Sequence, residues 1–382
     1  MDVRGVTLKV GLSATTTEPA LTGGHLDGIG IYSRALLREL PRAGVAVDAR
    51  SFGPAARLSV GRPMPRPFPL ATLRDLVLPG SLPGSFARDH LDVDLFHATD
   101  YRIVRIDRPI VATLHDALPI SHPEWCNPRL RGVKNWLQAK AARKADHVIA
   151  HTRYTIAELV QCFGVDERRI SVVPCGVDEE WLDAPDPALV AATLAEHGLR
   201  PGYFLTVGTL QPRKNIGALL QAYLGLPASV RSLRQLVIVG AAGARSNELV
   251  DQIKAAQQRG ENVVWLSRLT SSEALRHVYA GAGVFVFPSL YEGFGIPVVE
   301  AFASGVPVVA SNATSVPEVT GGAAIDVDPL SVGAIGAAML ELARDEALRR
   351  RCIAAGRARA VQLTWRETAR KTAAVYESVL KG

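Results

Sequence analysis

VFVFPSLYEGFGIPVVEAFASGVPVVA, residues 284–310, reads as one strand–turn–helix–strand unit. Val284–Phe287 is a short unbroken apolar run, the pattern of a strand buried on both faces. Gly293 and Gly295 mark a turn, and Pro297 sits in the first turn of a helix, where a missing N–H is harmless. Val306–Ala310 begins the next apolar run. A helix between two such runs is the crossover that parallel strands require.

The same alternation extends outward from this unit. Phe204–Val207, Leu236–Val239 and Val263–Leu266 read as further strands of the second half. In the first half, strands are expected at Leu8–Leu12, Val45–Ala49, Leu95–Ala98, Ile110–Leu114, His147–Ala150 and Ile170–Val173. Helices are expected at Ile31–Leu40, Pro128–Lys144 and Thr152–Phe163. Strands alternating with helices predict the α/β class with doubly wound parallel sheets. The 382 residues exceed one ordinary core, so two domains follow. The Pro-dotted stretch Asp183–Pro201 is the natural break, giving domains at 1–184 and 185–364. Ligands of such sheets bind beyond the carboxyl ends of the strands, which predicts a cleft between the two domains.

Composition narrows the class. With 48% hydrophobic and 21% charged residues the chain reads as a globular protein, and no window approaches the roughly 18–20 apolar residues of a membrane span. The opening MDVRGVTLKVGLSA runs straight into a strand without a signal-peptide core, which predicts a cytoplasmic protein. Cys126, Cys162, Cys175 and Cys352 form no CxxC pair and, with nine scattered histidines, no zinc spacing. Residues 1–153 carry 21 Lys+Arg against 14 Asp+Glu, and the remainder 22 against 23. The basic excess lies in the first half, where it suits an anionic lipid or membrane surface as well as an Arg-rich composition. No basic run is interleaved with aromatics, so nucleic acid is not an expected partner. The proline-rich stretch 53–84 reads as a long loop, either a lid or partner surface or a variable insertion.

Several residues carry chemistry. A helix N-terminus at 294–297 is suited to a phosphate or sugar oxygen, with glycines allowing close approach. Glu292 and Glu300 have seven residues between them; helical geometry would put them on one face about 12 Å apart, fitting the two ends of an elongated ligand. Arg213 and Lys214 follow the strand Phe204–Val207 and precede a helix, a good placement for phosphate binding.

At Glu292-Gly-Phe-Gly-Ile-Pro-Val-Val-Glu300 the sequence resembles the family 4 retaining glycosyltransferases, whose signature is E-x7-E. The resemblance covers nearly the whole chain and implies the GT-B fold, two Rossmann-like domains facing each other across a cleft. Gly208-Thr-Leu-Gln-Pro-Arg213-Lys214-Asn215 resembles the family's pyrophosphate loop and, within it, the bacterial mannosyltransferases of surface polysaccharide assembly. The resemblance implies that Glu300 binds the ribose hydroxyls and Glu292 the donor sugar. It gives the diphosphate to Gly208, Arg213 and Lys214 with the backbone of Gly293, Phe294, Gly295 and Ile296. The nucleobase is expected against Leu266, Ser267, Arg268 and Leu269. Glu318, in the Pro317-Glu318-Val319 pattern, is expected to be structural.

In the first half, Gly28-Ile29-Gly30-Ile-Tyr32-Ser33 looks like a dinucleotide fingerprint, with Asp48 as a ribose acid. Some fifteen residues separate it from the first strand, too many for the tight phosphate turn of that fingerprint. The resemblance instead makes it the family's glycine loop, serving the donor phosphates and the acceptor. It also makes His115 a site residue, with Asp116 orienting its ring. His97 is a weaker candidate. His151 stands where relatives often carry a small hydroxyl residue, a departure that the resemblance does not interpret. Asp178 is expected to fix the Pro174-Cys175-Gly176-Val177-Asp178 turn.

The resulting expectation is a metal-independent, retaining hexosyltransferase with no cofactor. Its donor is a nucleotide-sugar, GDP-mannose first and a UDP-glucose type second, and its acceptor a glycan or lipid-linked glycan. Asp92-Val-Asp94 precedes a strand rather than following one, so it does not read as a metal-binding DxD. The rivals are a non-catalytic nucleotide-sugar-binding protein and a phosphorylase or epimerase. The last helix, from Trp365 to the end, is expected to pack back on the first domain.

Overall fold

A computed structural model of the chain describes residues 8–24, 26–78, 88–126, 131–269 and 271–382. The chain divides into two compact units. Unit 1 comprises Met1–Pro123, Pro128–Cys175 and Trp365–Gly382, and unit 2 comprises Glu124–Asn127 and Gly176–Thr364. The break falls at Cys175/Gly176, ahead of the 184/185 boundary expected from the proline-dotted stretch. The reason is a contact across the sequence: Val177 bridges to Thr364, and its N–H donates to the Leu363 carbonyl at 3.0 Å.

Unit 1 holds a seven-stranded sheet in the order β3-β2-β1-β4-β5-β6-β7. The strands are β1 (Lys9–Ser13), β2 (Ala46–Ser51), β3 (Arg62–Pro63), β4 (Leu95–Ala98), β5 (Ile110–Thr113), β6 (His147–Ala150) and β7 (Ile170–Val172). All pairings are parallel. Their carboxyl ends therefore lie along one edge. β4 and β5 are buried at every position, as two-sided cover by helices requires.

The stretch 53–84 is not a plain loop. It contains β3 and a ten-residue helix, Phe68–Val77. Its prolines start and edge elements instead of preventing them: Pro67 caps the helix, Pro69 lies in its first turn, and Pro63 is on an edge strand. Buried Glu18 organises what lies before, accepting from the N–H groups of Ser59, Val60 and Gly61 at 2.7–3.1 Å and from Ser51 Oγ at 2.8 Å. Residues 79–84 of that stretch, and Pro128–Leu130 of the helix expected at 128–144, lie outside the described residues; the described helix is Arg131–Ala142. The helix expected at Ile31 begins at Gly28, where Asp27 accepts from Gly30 N at 2.9 Å as an N-cap.

The final helix, Trp365–Lys381, belongs to unit 1. It buries Trp365 and Tyr376. Trp365 meets the Tyr32 ring at 6.2 Å, and the Tyr376 hydroxyl bonds His97 Nδ1 at 2.6 Å.

Unit 2 holds a six-stranded parallel sheet in the order β10-β9-β8-β11-β12-β13. Its strands are β8 (Tyr203–Val207), β9 (Leu236–Val239), β10 (Val263–Leu266), β11 (Ala282–Phe287), β12 (Val308–Ser311) and β13 (Ile325–Val327). β13 is three residues with a central exposed aspartate, too short for an apolar run to announce it. Helix Ile296–Ala303 is the crossover from β11 to β12. Each unit has its own core, around Phe96, Leu114 and Phe163 in one and around Phe204, Ile238 and Met339 in the other.

Candidate active site

In unit 2 the candidate side chains follow the carboxyl ends of β8 and β11. The chain leaves β8 through Gly208 at φ 150, a conformation that favours glycine. A short turn, Pro212–Lys214, then presents Arg213 and Lys214. Asn215, left-handed at φ 57, locks that turn by donating to the carbonyls of Pro288 at 3.1 Å and Pro329 at 2.6 Å. Leu290 N donates to the Arg213 carbonyl at 2.7 Å, so the turn and the segment after β11 are laced together.

Glu292 lies between the two cations. Lys214 Nζ is 2.5 Å from its Oε1 and Arg213 Nη1 2.9 Å from its Oε2. All three side chains are largely buried. Burial raises the carboxyl, but the charges of Lys214 and Arg213 outweigh it and hold Glu292 below its usual range. Lys214 also lies over the Phe287 ring at 5.0 Å.

The helix begins only at Ile296, after Gly295 in the left-handed region at φ 106. A Cβ there would meet Phe287 at 3.3 Å, so the position calls for glycine on two counts. Glu292 is on the turn before the helix and Glu300 is on the helix, as expected, but the shared helical face derived for them does not hold, because that turn is not helical. Helical rise does not span their interval.

Glu300 has a different setting. Its Oε2 accepts from the Tyr279 hydroxyl at 2.9 Å. Burial, with the charge of Asp178 adding to it, pushes the carboxyl up to about 7 against the Tyr279 hydrogen bond. Ser267 and Arg268 are exposed in a turn after β10, followed by Leu269. That turn shares the sheet edge with Gly208 and Glu292, because every strand of the sheet is parallel.

In unit 1, His115 follows β5. Its Nε2 donates to the Thr99 carbonyl at 2.9 Å, and its Nδ1 is 2.9 Å from His151 Nε2. Thr99 and His151 thus hold the ring, where Asp116 was expected to. Asp116 Oδ1 accepts from Leu118 N at 3.1 Å and acts on His115 through its charge. Gly30 is buried, and a Cβ on it would meet the Thr16 carbonyl at 2.8 Å. Gly28 is exposed and Ile29 half-buried, both in the first turn of the helix Gly28–Glu39. Tyr32, expected in the loop's binding face, is fully buried, with its hydroxyl 2.9 Å from Thr113 Oγ1; it supports the strand ends from beneath. His97 is likewise core, bonded to Tyr376 and to Thr113 at 2.8 Å. Asp48 pairs with Arg50 at 2.6 Å, which accounts for it without a ribose. A cavity of about 880 Å³ opens between the helices Phe68–Val77 and Arg131–Ala142. It reaches Asp27 and Ile29, with Phe68, Leu76 and Leu137 on its walls and Lys134 and Lys140 among its cations.

The family model described as Glycosyltransferase Family 4 matches residues 26–181, and that described as Glycosyl transferases group 1 matches residues 195–359. The chain is 33% identical to the O-antigen chain mannosyltransferase B of Escherichia coli, over 76% of this chain and 75% of that one. The chain belongs to glycosyltransferase family 4. This glycosyltransferase is also 29% identical to the MMP alpha-(1->4)-mannosyltransferase of Mycolicibacterium hassiacum, covering 93% and 96% of the two chains. Its fold is that of sucrose-phosphate synthase from Thermosynechococcus elongatus, with a TM-score of 0.72, 22% identity and 98% and 99% coverage. Among the described residues of the glycosyltransferase, no helix is long and apolar enough to cross a membrane.

Two contacts of the glycosyltransferase site escape sequence reading. Thr314 Oγ1 accepts from Glu292 N at 3.2 Å, and Ser315 Oγ donates to the Glu292 carbonyl at 2.7 Å. They come from the segment after β12 and fix the backbone of Glu292. Thr314, left-handed at φ 54, gives no signal in a sequence. Glu318 contributes its carbonyl to Arg359 at 2.8 Å.

Proposed function

We propose that the protein is a retaining, metal-independent hexosyltransferase that moves mannose from GDP-mannose to a lipid-linked glycan in cell-surface polysaccharide synthesis. The observation that carries the donor site is the cluster of Arg213, Lys214 and Glu292 beside the N-terminus of helix Ile296–Ala303. Glu292 bridges the two cations and offsets one of their two positive charges. A donor diphosphate offers them stronger charge, and the helix N-terminus adds its partial positive charge. Displaced from the cations, the Glu292 carboxylate is available to the hydroxyls of the donor sugar. Glu300 takes the ribose hydroxyls, and the 267–269 turn the base.

In the transfer step the acceptor hydroxyl oxygen bonds the anomeric carbon as the bond from that carbon to the phosphate oxygen breaks. The departing diphosphate takes the acceptor's proton, and Arg213 and Lys214 stabilise its charge. Mannose is favoured by the names of the two mannosyltransferases this chain is similar to. A UDP-glucose donor is the alternative.

The acceptor side rests on unit 1. Helix Phe68–Val77 exposes Leu70, Leu73 and Val77 at 57–68% of their surface, beside the cation-bearing cavity. An amphiphile with an anionic head suits both features, and so does peripheral contact with the inner face of the cell membrane.

Calorimetric titration with GDP, UDP and their sugars, followed by transfer assays, tests the reading. GDP-mannose should bind and be consumed, with Lys214→Ala lowering kcat/KM by about 100-fold or more. Full activity of Lys214→Ala or Glu292→Ala would remove the donor-site assignment. Activity lost to a chelator and restored by Mg²⁺ or Mn²⁺ would remove metal independence.

A further inference from the structure

The hydrogen bonds around His115 and His151 require one proton more than two neutral rings possess. His115 Nε2 faces the Thr99 carbonyl at 2.9 Å, and His151 Nδ1 faces the Val173 carbonyl at 3.0 Å. A carbonyl only accepts, so each of these nitrogens carries a hydrogen. The remaining contact, His151 Nε2 to His115 Nδ1 at 2.9 Å, needs a third. Two neutral imidazoles bring two hydrogens, and one contact would then set lone pair against lone pair, which is unfavourable for buried groups. The fully bonded arrangement is an imidazolium donating to an imidazole.

The surroundings both oppose and favour that charge. Burial pulls His115 below its usual value and His151 down to about 3, and the charge of His115, then that of His97, adds to the effect on His151. Against this stand three carboxylates acting on His115 from separate elements: Asp116 after β5, Asp100 after β4, and Asp27 at the start of the helix Gly28–Glu39. Asp100 is itself paired with Arg102 at 2.5 Å. The edge of Tyr32 packs on both rings, with centroids 5.3 and 5.0 Å away, and Tyr101 lies 6.5 Å from His115.

We infer that His115 and His151 act as one proton-sharing pair, which holds a single proton between His115 Nδ1 and His151 Nε2, with His151 the positioning residue. This rests on His115 being a site residue of glycosyl transfer. The pair then presents fixed positive charge beside the glycine turn, where a substrate carries phosphate, and it loses that charge as a unit when pH rises.

Nitrogen NMR of histidine-labelled protein near pH 7 reads the count directly. Three protonated nitrogens and one acceptor are expected across the pair. Two neutral rings throughout about pH 6–8 would overturn the inference. In His151→Gln the amide can still donate to Nδ1 but carries no titratable proton, and His115 should become a plain Nε2–H tautomer.

Kinetics gives the second readout. Native kcat should fall about tenfold as pH rises through the pair's apparent value. His151→Gln should lose that alkaline limb, with KM for the donor changed less than about threefold. A His151→Gln profile that overlays the native one defeats the inference, and His151→Thr repeats the test should the glutamine variant fold poorly. His115→Ala separates the two levels: if it leaves transfer intact, the site reading fails and the native NMR count alone decides the pair.

Discussion

Glu292 and Glu300 are the same residue type given different acidities by their neighbours. Two cations keep Glu292 ionised, whereas burial beside Tyr279 lifts Glu300 to about 7. If Glu300 binds ribose as a carboxylate, the dissociation constant for a nucleoside diphosphate should fall as pH rises through about 7. Glu300→Gln should bind more weakly above that pH and show no such dependence in calorimetry. The sign for stability is reversed. A carboxyl raised in the folded state favours folding below its unfolded value of 4.5, and that advantage is lost as pH rises through about 7. Glu300→Gln should therefore be more stable at about pH 8, by roughly 1–2 kcal/mol in urea titration. Gly295 makes a sharper test of geometry. Gly295→Ala meets both the left-handed φ and the Phe287 ring, so kcat/KM should drop at least about tenfold and the melting temperature should fall by a few degrees.

At the scale of elements, Glu18 holds the approach to β3 and the helix Phe68–Val77. Burial works against its charge, but hydrogen bonds from Ser59, Gly61, Ser51 and Val60 keep its carboxyl below the usual value. Its contribution is present above the unfolded value of 4.5 and disappears as pH falls through the lower folded one. Glu18→Gln should cost about 1–3 kcal/mol at neutral pH, measured by denaturant titration, without altering nucleotide affinity. The exposed face of that helix gives another test: replacing Leu70 and Leu73 together with glutamate should weaken sedimentation with anionic vesicles about tenfold or more. These elements were the least legible from the sequence. Buried parallel strands announce themselves as apolar runs, which is why β8 through β12 could be read from residues alone. In 53–84 the prolines hid a helix, since proline tolerates a helix start as readily as a loop. His151 needed the opposite kind of knowledge: its partner His115 is distant in sequence, and only the fold of β5 beside β6 brings the two together. Glu292 was found through its motif, yet its relation to Glu300 was misread because one left-handed glycine interrupts the helical count.

At the scale of the molecule, the chain enters the long stretch of unit 2 at Cys175/Gly176 and leaves it for unit 1 again at Thr364/Trp365. The last eighteen residues complete unit 1 by covering Tyr32 and by bonding His97 through Tyr376. A chain ending at Thr364 should therefore keep slow hydrogen exchange in β8 to β13 while exchange in β1, β4 and β5 accelerates to near the unfolded rate. Equal protection of the two sheets in that truncated protein would show that the helix adds nothing to the first core. The same discontinuity sets an order of events at the ribosome. Unit 2 emerges as one nearly continuous run, whereas unit 1 is begun ahead of it and closed only by the helix Trp365–Lys381 behind it. At about 5–20 residues per second, the first core waits roughly 10–40 s for its last helix after Cys175 has been added. Through that interval Tyr32 and His97 lack their cover, making the nascent first unit the natural client of a chaperone and the second unit the first to reach its native state.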